Sequence, residues 1–124
     1  MLGTFALSAG YYDAYYGKAQ KIRTLIRRDF DLVYADHDLL LSPTSPSVAF
    51  RFGERSDPMS MYRSDVCTIP SNLVGDASMS VPFGNGLHNM PVGVQLMAPA
   101  LGEALMFRAA AVLELAEPAE EVHD

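Results

Sequence analysis

The sequence predicts an α/β fold. A long helical pattern opens the chain, two strand patterns joined by a turn lie in its second half, and another helical pattern follows them. Helices and strands that alternate along a chain pack as layers on a shared sheet, which defines this class. Only three short strands are predicted, so the sheet is expected to need strands that this chain does not supply.

The first helical pattern runs from Tyr11 to about Tyr34. Its apolar residues recur at intervals of three and four, which places them on one side of a helix. They are Tyr11, Tyr15, Ala19, Ile22, Leu25, Ile26, Phe30 and Val33. The opposite side is basic, with Lys18, Lys21, Arg23, Arg27 and Arg28. We interpret the basic side as solvated, with contact to an RNA or to a partner protein as the alternative.

Shorter patterns follow this helix, which Asp36-His37-Asp38 ends. Leu39–Ser42 predicts a short buried strand, and residues 43–58, which contain three prolines, predict a surface loop. Residues 59–74 predict a second helix. Pro70 is expected to kink that helix or to start a fresh turn.

The second half predicts a β-hairpin and a last helix. Strand patterns at 78–83 and 90–97 flank the turn signal Gly84-Asn85-Gly86. The last helix spans 101–115 and ends before Pro118. Its apolar face is predicted to be Leu105, Met106, Ala109, Val112, Leu113 and Ala116. We therefore divide the chain into one domain segment, residues 1–117, and an acidic tail, residues 118–124.

Charge excludes one function class. The chain has 124 residues and a formal net charge of −6. Residues 61–124 contain only two of its basic residues, Arg63 and Arg108. Nucleic-acid-binding domains carry basic surfaces, so any RNA partner is expected to be held mainly by another subunit.

Cysteine content and hydropathy suggest a cytoplasmic protein. Cys67 is the single cysteine, so an internal disulfide is impossible and a reducing compartment fits. No apolar run approaches the roughly 18 residues that span a membrane. The apolar opening at residues 1–9 lacks the basic residues of a signal peptide, and we interpret Met1 as an internal methionine.

Several long strings carry a family resemblance. Residues 2–16 read Leu-Gly-Thr-Phe-Ala-Leu-Ser-Ala-Gly-Tyr-Tyr-Asp-Ala-Tyr-Tyr, and Lys18-Ala19-Gln20-Lys21 follows. Further strings are Ser42-Pro43-Thr44, Asp57-Pro58-Met59-Ser60-Met61-Tyr62, Thr68-Ile69-Pro70-Ser71-Asn72-Leu73, Ser80-Val81-Pro82 and Pro91-Val92-Gly93-Val94-Gln95. Together they resemble the C-terminal part of the A subunits of glutamyl-tRNA(Gln) amidotransferases, which form a branch of the amidase-signature family.

The resemblance implies a fold and a function. The fold is a layered α/β/α domain on a large mixed sheet. The A subunit hydrolyses glutamine and sends ammonia to a B subunit, which uses ATP and Mg²⁺ to convert Glu-tRNA(Gln) into Gln-tRNA(Gln). A small C subunit tethers A to B. No cofactor is expected in this chain itself.

One substrate-binding residue follows from the resemblance. Asp65 matches the family aspartate that binds the α-ammonium group of the substrate glutamine. A carboxylate in a partly closed pocket accepts charge-assisted hydrogen bonds from an ammonium, which suits this role. From the sequence alone, Asp65 would instead be a solvated helix residue.

The sequence also departs from the family pattern. The catalytic serine, cis-serine and lysine lie in a Gly/Ser-rich signature, and no such run occurs here. The family places that signature upstream, so no catalytic residue is assigned and the chain alone is expected to be inactive. A smaller departure is Gly75-Asp76-Ala77, where the family usually has an apolar residue and then proline.

Other residues that suggest chemistry have simpler interpretations. Asp36-His37-Asp38 lacks further ligands for a metal site and fits a polar turn. Cys67 fits a small buried residue better than a thiol nucleophile. Ser42–Ser47 lie among prolines and fit a loop, and Lys18 and Lys21 fit the solvated helix face. No metal site is predicted.

Two other functions stay open. The chain could belong to a different amidase-signature enzyme that hydrolyses small amides, although the tyrosine-rich string at 11–16 argues against it. It could also be a non-catalytic interaction module that pairs with another chain. Such a module should expose more apolar surface than the few hundred Å² that are usual for a monomer.

Overall fold

The computed structural model describes residues 15–116, and their elements follow the predicted order. The elements are α1 (Gly17–Tyr34), β1 (Leu40–Pro43), α2 (Pro58–Ser64), α3 (Ile69–Val74), β2 (Ala77–Asn85), β3 (Pro91–Ala98) and α4 (Glu103–Leu115). A short 3-10 turn, Leu87–Asn89, joins β2 to β3. The predicted start of the first helix and the predicted acidic tail lie outside the described residues.

The three strands form one antiparallel sheet with the order β1-β3-β2. Leu40 pairs with Met97, and Ala77 pairs with Ala98 on the other side of β3. The register between β2 and β3 shifts between Pro82 and Asn85, which marks a bulge near the turn. The predicted hairpin is confirmed, and its second strand is the central strand of the sheet. Its predicted turn is displaced, because Gly84 and Asn85 lie in β2 and the chain turns at Leu87–Asn89.

The core lies between the central strand and α4. Leu96 and Ala98 of β3 are buried together with Val81 of β2 and with Met106 and Ala110 of α4. The three strand side chains lie on one face of the sheet, because alternate residues of a strand point the same way. The last helix therefore covers that face of the hairpin.

The predicted face of α4 is partly wrong. Met106 is buried as expected, and Ala109 and Leu113 pack against the core. Val112 is 64% exposed, whereas Ala110 is buried. Met106 and Ala110 lie one turn apart and centre the contact on the sheet, and at about 100° per residue Val112 points roughly 140° away from that centre.

Strand β1 is less buried than predicted. Its residues alternate between half-buried and exposed, and Leu41 is 61% exposed. Leu41 pairs with Leu96 and so lies on the sheet face that α4 covers, but α4 packs mainly on β2 and β3 and leaves this edge strand open. The strand ends at Pro43, one residue past the predicted end, and Pro43 pairs with Val94.

Helix α1 packs on α3 through part of its apolar side. Ile26, Phe30 and Tyr34 are half-buried, whereas Ile22 and Leu25 are 57% and 60% exposed. All five residues of the basic side are exposed, and Arg23 Nε also donates a hydrogen bond to the carbonyl oxygen of Leu73 in α3. Much of the predicted apolar stripe is thus available to surfaces outside the described residues.

A new helix begins at Pro70, so this proline does not kink a single helix. The predicted single helix over 59–74 is two helices, and Pro70 lies in the first turn of the second, where its missing N–H costs nothing. Asp65–Thr68 form the turn between them. That turn determines where the predicted substrate-binding residue lies.

Tyr34 and Asp76 form a poorly compensated polar contact between α1 and the turn before β2. The Tyr34 hydroxyl and Asp76 Oδ2 are buried, and within the described residues neither makes a hydrogen bond of normal geometry. Burial raises the pKa of Tyr34 far above its usual value, and the Asp76 carboxylate raises it further. Burial also raises the pKa of Asp76, against the lowering effects of the Tyr34 hydroxyl and of Arg27. The pair is close enough for electrostatic coupling.

Leu96→Ala is expected to destabilise the chain by about 2–5 kcal/mol, because it opens a cavity where the side chain is 1% exposed. Leu115→Ala is the matched control, since Leu115 is 89% exposed at the end of α4. Its effect should stay within about 0.5 kcal/mol. Urea unfolding measures both. Equal effects would show that β3 is not the centre of the core.

Asp76→Asn is expected to stabilise the chain at neutral pH, and only there. The pKa of Asp76 is raised in the fold, so its ionisation costs folding free energy above the ordinary value of 3.8 and nothing well below it. The contact is partly solvated, so the gain should not exceed about 1 kcal/mol.

Urea unfolding at neutral pH and below the ordinary aspartate pKa measures this gain. Asp36→Asn, at an exposed position after α1, is the control and should show no such gain. The same stabilisation of Asp76→Asn at both pH values would exclude the carboxylate charge as its cause.

Candidate functional site

The N-terminus of α2 is closed by a capping pair. Asp57 Oδ1 accepts a hydrogen bond of 2.9 Å from the Ser60 backbone N–H, and Ser60 Oγ donates to the Asp57 carbonyl oxygen at 2.9 Å. Pro58 follows the cap, where its fixed φ favours a helix start. The hydrogen bonds from Ser60 lower the pKa of the Asp57 carboxyl, which is solvent-exposed. This cap sets the start of the short helix that leads to Asp65.

Asp65 is the residue that ends α2. Its backbone, at φ −99° and ψ 3°, leaves the helix. Its carbonyl oxygen accepts hydrogen bonds from the backbone N–H groups of Thr68 and Ile69, both at 3.0 Å, and from Thr68 Oγ1 at 3.1 Å. The chain therefore folds back in one tight turn, and Asp65 lies on that turn.

The Asp65 side chain is exposed, and within residues 15–116 no donor contacts its carboxylate. An exposed carboxylate binds an ammonium weakly, because water competes for both groups. The pairing becomes strong when further groups exclude water from it. Asp65 is thus accessible to a ligand, and tight binding needs a cover from beyond the described residues.

Arg55 holds the loop between β1 and α2 against the end of that helix. Its guanidinium donates to Ser64 Oγ and, at 2.6 Å, to Ser47 Oγ. It also lies over the Phe50 ring, 4.3 Å from the ring centroid. A cation on an aromatic face adds to such contacts. The loop thus meets the chain next to Asp65.

Two side-chain amides hold the Asp65–Thr68 turn from the other side. Gln95 Nε2, on β3, donates to the carbonyl oxygen of Cys67 at 2.9 Å. Asn72 Nδ2, on α3, donates to the carbonyl oxygen of Thr68 at 2.9 Å. Gln95 is only 2% exposed, so this donor lies in the interior. The turn is therefore attached to the central strand of the sheet.

A polar cleft of about 260 Å³ lies beside this turn. Its lining includes Thr68, Asp76, Gln95 and a hydrogen-bonded pair, Thr44 Oγ1 and Ser80 Oγ, whose oxygens are 2.6 Å apart. Gly93 makes room for that pair, because a Cβ there would lie 2.6 Å from Ser80 Oγ. Hydroxyls, an amide and a carboxylate suit a ligand with hydrogen-bond donors.

The other candidate residues are not brought together. Within residues 15–116, no three His, Cys, Asp or Glu side chains converge on a possible metal position. Cys67 is a half-buried free cysteine, and Lys18 and Lys21 are exposed on α1. Ser47 Oγ accepts a hydrogen bond from Arg55 within the loop, which fits a structural residue. No helix of the described part is long and apolar enough to cross a membrane.

Sequence reasoning missed Gln95 and Asn72 as site residues. Both lie inside strings that carry the family resemblance, but no role was assigned to them. Gln95 had a signal of its own, since it is a polar residue in an otherwise apolar strand between Val94 and Leu96. Buried polar side chains are usually hydrogen-bonded, so such a residue points to a specific contact.

Comparisons with known proteins find relatives over most of this chain. The family model described as Amidase matches residues 1–107. The glutamyl-tRNA(Gln) amidotransferase A subunit of Thermobifida fusca is 57% identical over 118 residues, which are 94% of this chain and 24% of that protein. The corresponding A subunit of Halothermothrix orenii is 53% identical over 116 residues, with the same two coverages.

A solved structure shows the same fold. The crystal structure of the glutamyl-tRNA(Gln) amidotransferase A subunit from Thermotoga maritima matches with a TM-score of 0.83 and 45% identity. The match covers 98% of this chain and 26% of that one. The chain thus spans about a quarter of the length of the curated relatives it matches, and it corresponds to a C-terminal part of such subunits. With the family model matching most of its residues, the chain belongs to the amidase family.

Proposed function

We propose that this chain is the C-terminal part of the glutamine-hydrolysing A subunit of a glutamyl-tRNA(Gln) amidotransferase. The observation that carries the proposal is the 57% identity to the T. fusca protein over 94% of the chain. In the complete cytoplasmic complex, the ammonia released from glutamine converts Glu-tRNA(Gln) into Gln-tRNA(Gln). The B subunit uses ATP and Mg²⁺ for that conversion, and the C subunit tethers A to B.

In this proposal Asp65 binds the α-ammonium group of glutamine. Two features support the role: the carboxylate is free of contacts with other described residues, and the turn that bears it is held by hydrogen bonds on several sides. Because the backbone of the turn is already held, ligand binding needs to order only the Asp65 side chain, which limits the entropy cost. The nucleophile, its base and the oxyanion donors come from the upstream part of the enzyme.

The chain by itself is proposed to be inactive. An apolar groove of about 530 Å³ lies between α1 and the α2–α3 pair, and Ile26, Phe30 and Val66 are among the residues that line it. Leu25 and Leu41 are also more than half exposed. Apolar surface of this extent is typical of a contact surface. Its proposed cover is the upstream part of the enzyme.

The test joins this chain to the upstream three-quarters of the T. fusca protein and measures glutamine hydrolysis. We expect no turnover by the chain alone and turnover by the joined protein. Asp65→Asn in the joined protein should raise KM for glutamine by about 30-fold or more, because losing one partner of such a charge pair costs about 2–5 kcal/mol. Asp36→Asn is the matched control and should leave KM unchanged.

Two results would contradict the proposal. Turnover by the chain alone would place a nucleophile among residues interpreted as structural. An unchanged KM in the Asp65→Asn protein would remove the assigned role of Asp65.

A further inference from the structure

We infer that Gln95 is a positioning residue for Asp65, acting through the single peptide group between Cys67 and Thr68. The inference rests on the proposed function of Asp65. It adds a residue on the central strand that contacts no substrate and yet sets the affinity for the α-ammonium end of glutamine. The contacts of Gln95 carry the argument.

The orientation of the Gln95 amide is fixed by its surroundings. A backbone carbonyl oxygen can only accept, so the atom 2.9 Å from the Cys67 oxygen must be the amide nitrogen. The same nitrogen has two weaker acceptors, Ser42 Oγ and Met97 Sδ, each at 3.3 Å. An amide nitrogen has two hydrogens. The shortest bond holds one of them, and the two weaker acceptors share the other.

The hydrogen bond from Gln95 orients a whole peptide plane. The Cys67 carbonyl and the Thr68 N–H belong to the same planar peptide group. That N–H donates to the carbonyl oxygen of Asp65 at 3.0 Å. Gln95 therefore holds the oxygen end of the plane while the other end holds Asp65. Rotation of the plane would break both hydrogen bonds together.

The position of the Asp65 carboxylate depends on this backbone. Among the described residues the carboxylate has no partner of its own to fix it. Residue 65 lies at the end of a helix of seven residues, where the backbone conformation is already non-helical. Without the hydrogen bond from Gln95, the Cys67 carbonyl oxygen would lose its side-chain donor. The turn would then be free to rearrange so that this oxygen finds another donor.

Asn72 does not duplicate this function. It donates to the next carbonyl, that of Thr68, which also accepts from Ser71 Oγ at 2.9 Å. Asn72 is exposed, so water can replace its bond, whereas the Gln95 amide lies in the interior, where water does not readily take its place. Gln95 is the buried link between the sheet and the turn.

The test compares two glutamine substitutions in the joined protein described above. Gln95→Met keeps the length of the side chain and removes its donors. Gln20→Met makes the same change on α1, where the amide contacts the Tyr16 hydroxyl and not the turn. We expect Gln95→Met to raise KM for glutamine about tenfold with little change in kcat, and Gln20→Met to change neither.

A substrate without the α-ammonium group separates positioning from general damage. The monoamide of glutaric acid has the side-chain amide and the carboxylate of glutamine but no α-ammonium group, so it gives Asp65 nothing to bind. Gln95→Met should leave kcat/KM for this amide unchanged. In an Asp65→Asn background, Gln95→Met should add no further loss with glutamine, since the two residues act through one interaction.

The outcomes distinguish the inference from the proposed function. If Asp65→Asn raises KM for glutamine and Gln95→Met does not, the inference is wrong and the role of Asp65 stands. Equal losses of Gln95→Met with both substrates would also overturn it, because they indicate a general structural role. If Asp65→Asn has no effect on KM, the proposed role of Asp65 is wrong, and the inference that rests on it is wrong as well.

A measurement on the chain alone decides the positioning claim independently of activity. Gln95→Met should speed hydrogen exchange at the Thr68 amide relative to the Gly75 amide, which is held by the Ser71 carbonyl in the next helix. Equal acceleration at both amides, or none at Thr68, would overturn the claim that Gln95 holds this peptide plane.

Discussion

The hydrogen bond from Gln95 to the Cys67 carbonyl oxygen connects the layers of this chain. The sheet and α4 form a conventional apolar core, but α2 and α3 are short helices with few buried residues. Helices of six or seven residues are not stable by themselves and need external contacts. The buried amide of β3 supplies one at the turn between them. The arrangement of the candidate site therefore depends on the central strand more than on the helices that flank it.

This dependence explains how a small sheet can support the residue proposed to bind substrate. Strand β3 is paired on both sides and covered by α4, so it is the most constrained element of the described chain. Asp65 lies on a turn, where backbone groups usually have more freedom. Attaching that turn to β3 through a side chain transfers the rigidity of the strand to the turn. Arg55 adds a second attachment from the loop that follows β1.

The order of elements could be predicted from the sequence because each one depends on local signals. Pro70 marks a boundary wherever the rest of the chain lies, and periodicity identifies α1 and α4. The glycines at 84 and 86 predict a hairpin but not the exact position of its turn. Burial depends on neighbours that local signals do not describe. The strand pattern predicts a buried Leu41, which is exposed, and helical periodicity places Val112 on the wrong side of α4. The role proposed for Asp65 came from resemblance, whereas the contact made by Gln95 joins residues 28 positions apart and needed the structure.

The open edge of β1 has a consequence for folding without aggregation. Within the described residues, β1 pairs only with β3, so its other side presents backbone donors and acceptors next to the exposed Leu41. Unpaired edges with apolar side chains recruit other strands, including those of identical molecules. Any cover for this edge, such as the upstream part proposed above, therefore has a second effect: it keeps two copies of the chain from pairing through β1 while they fold.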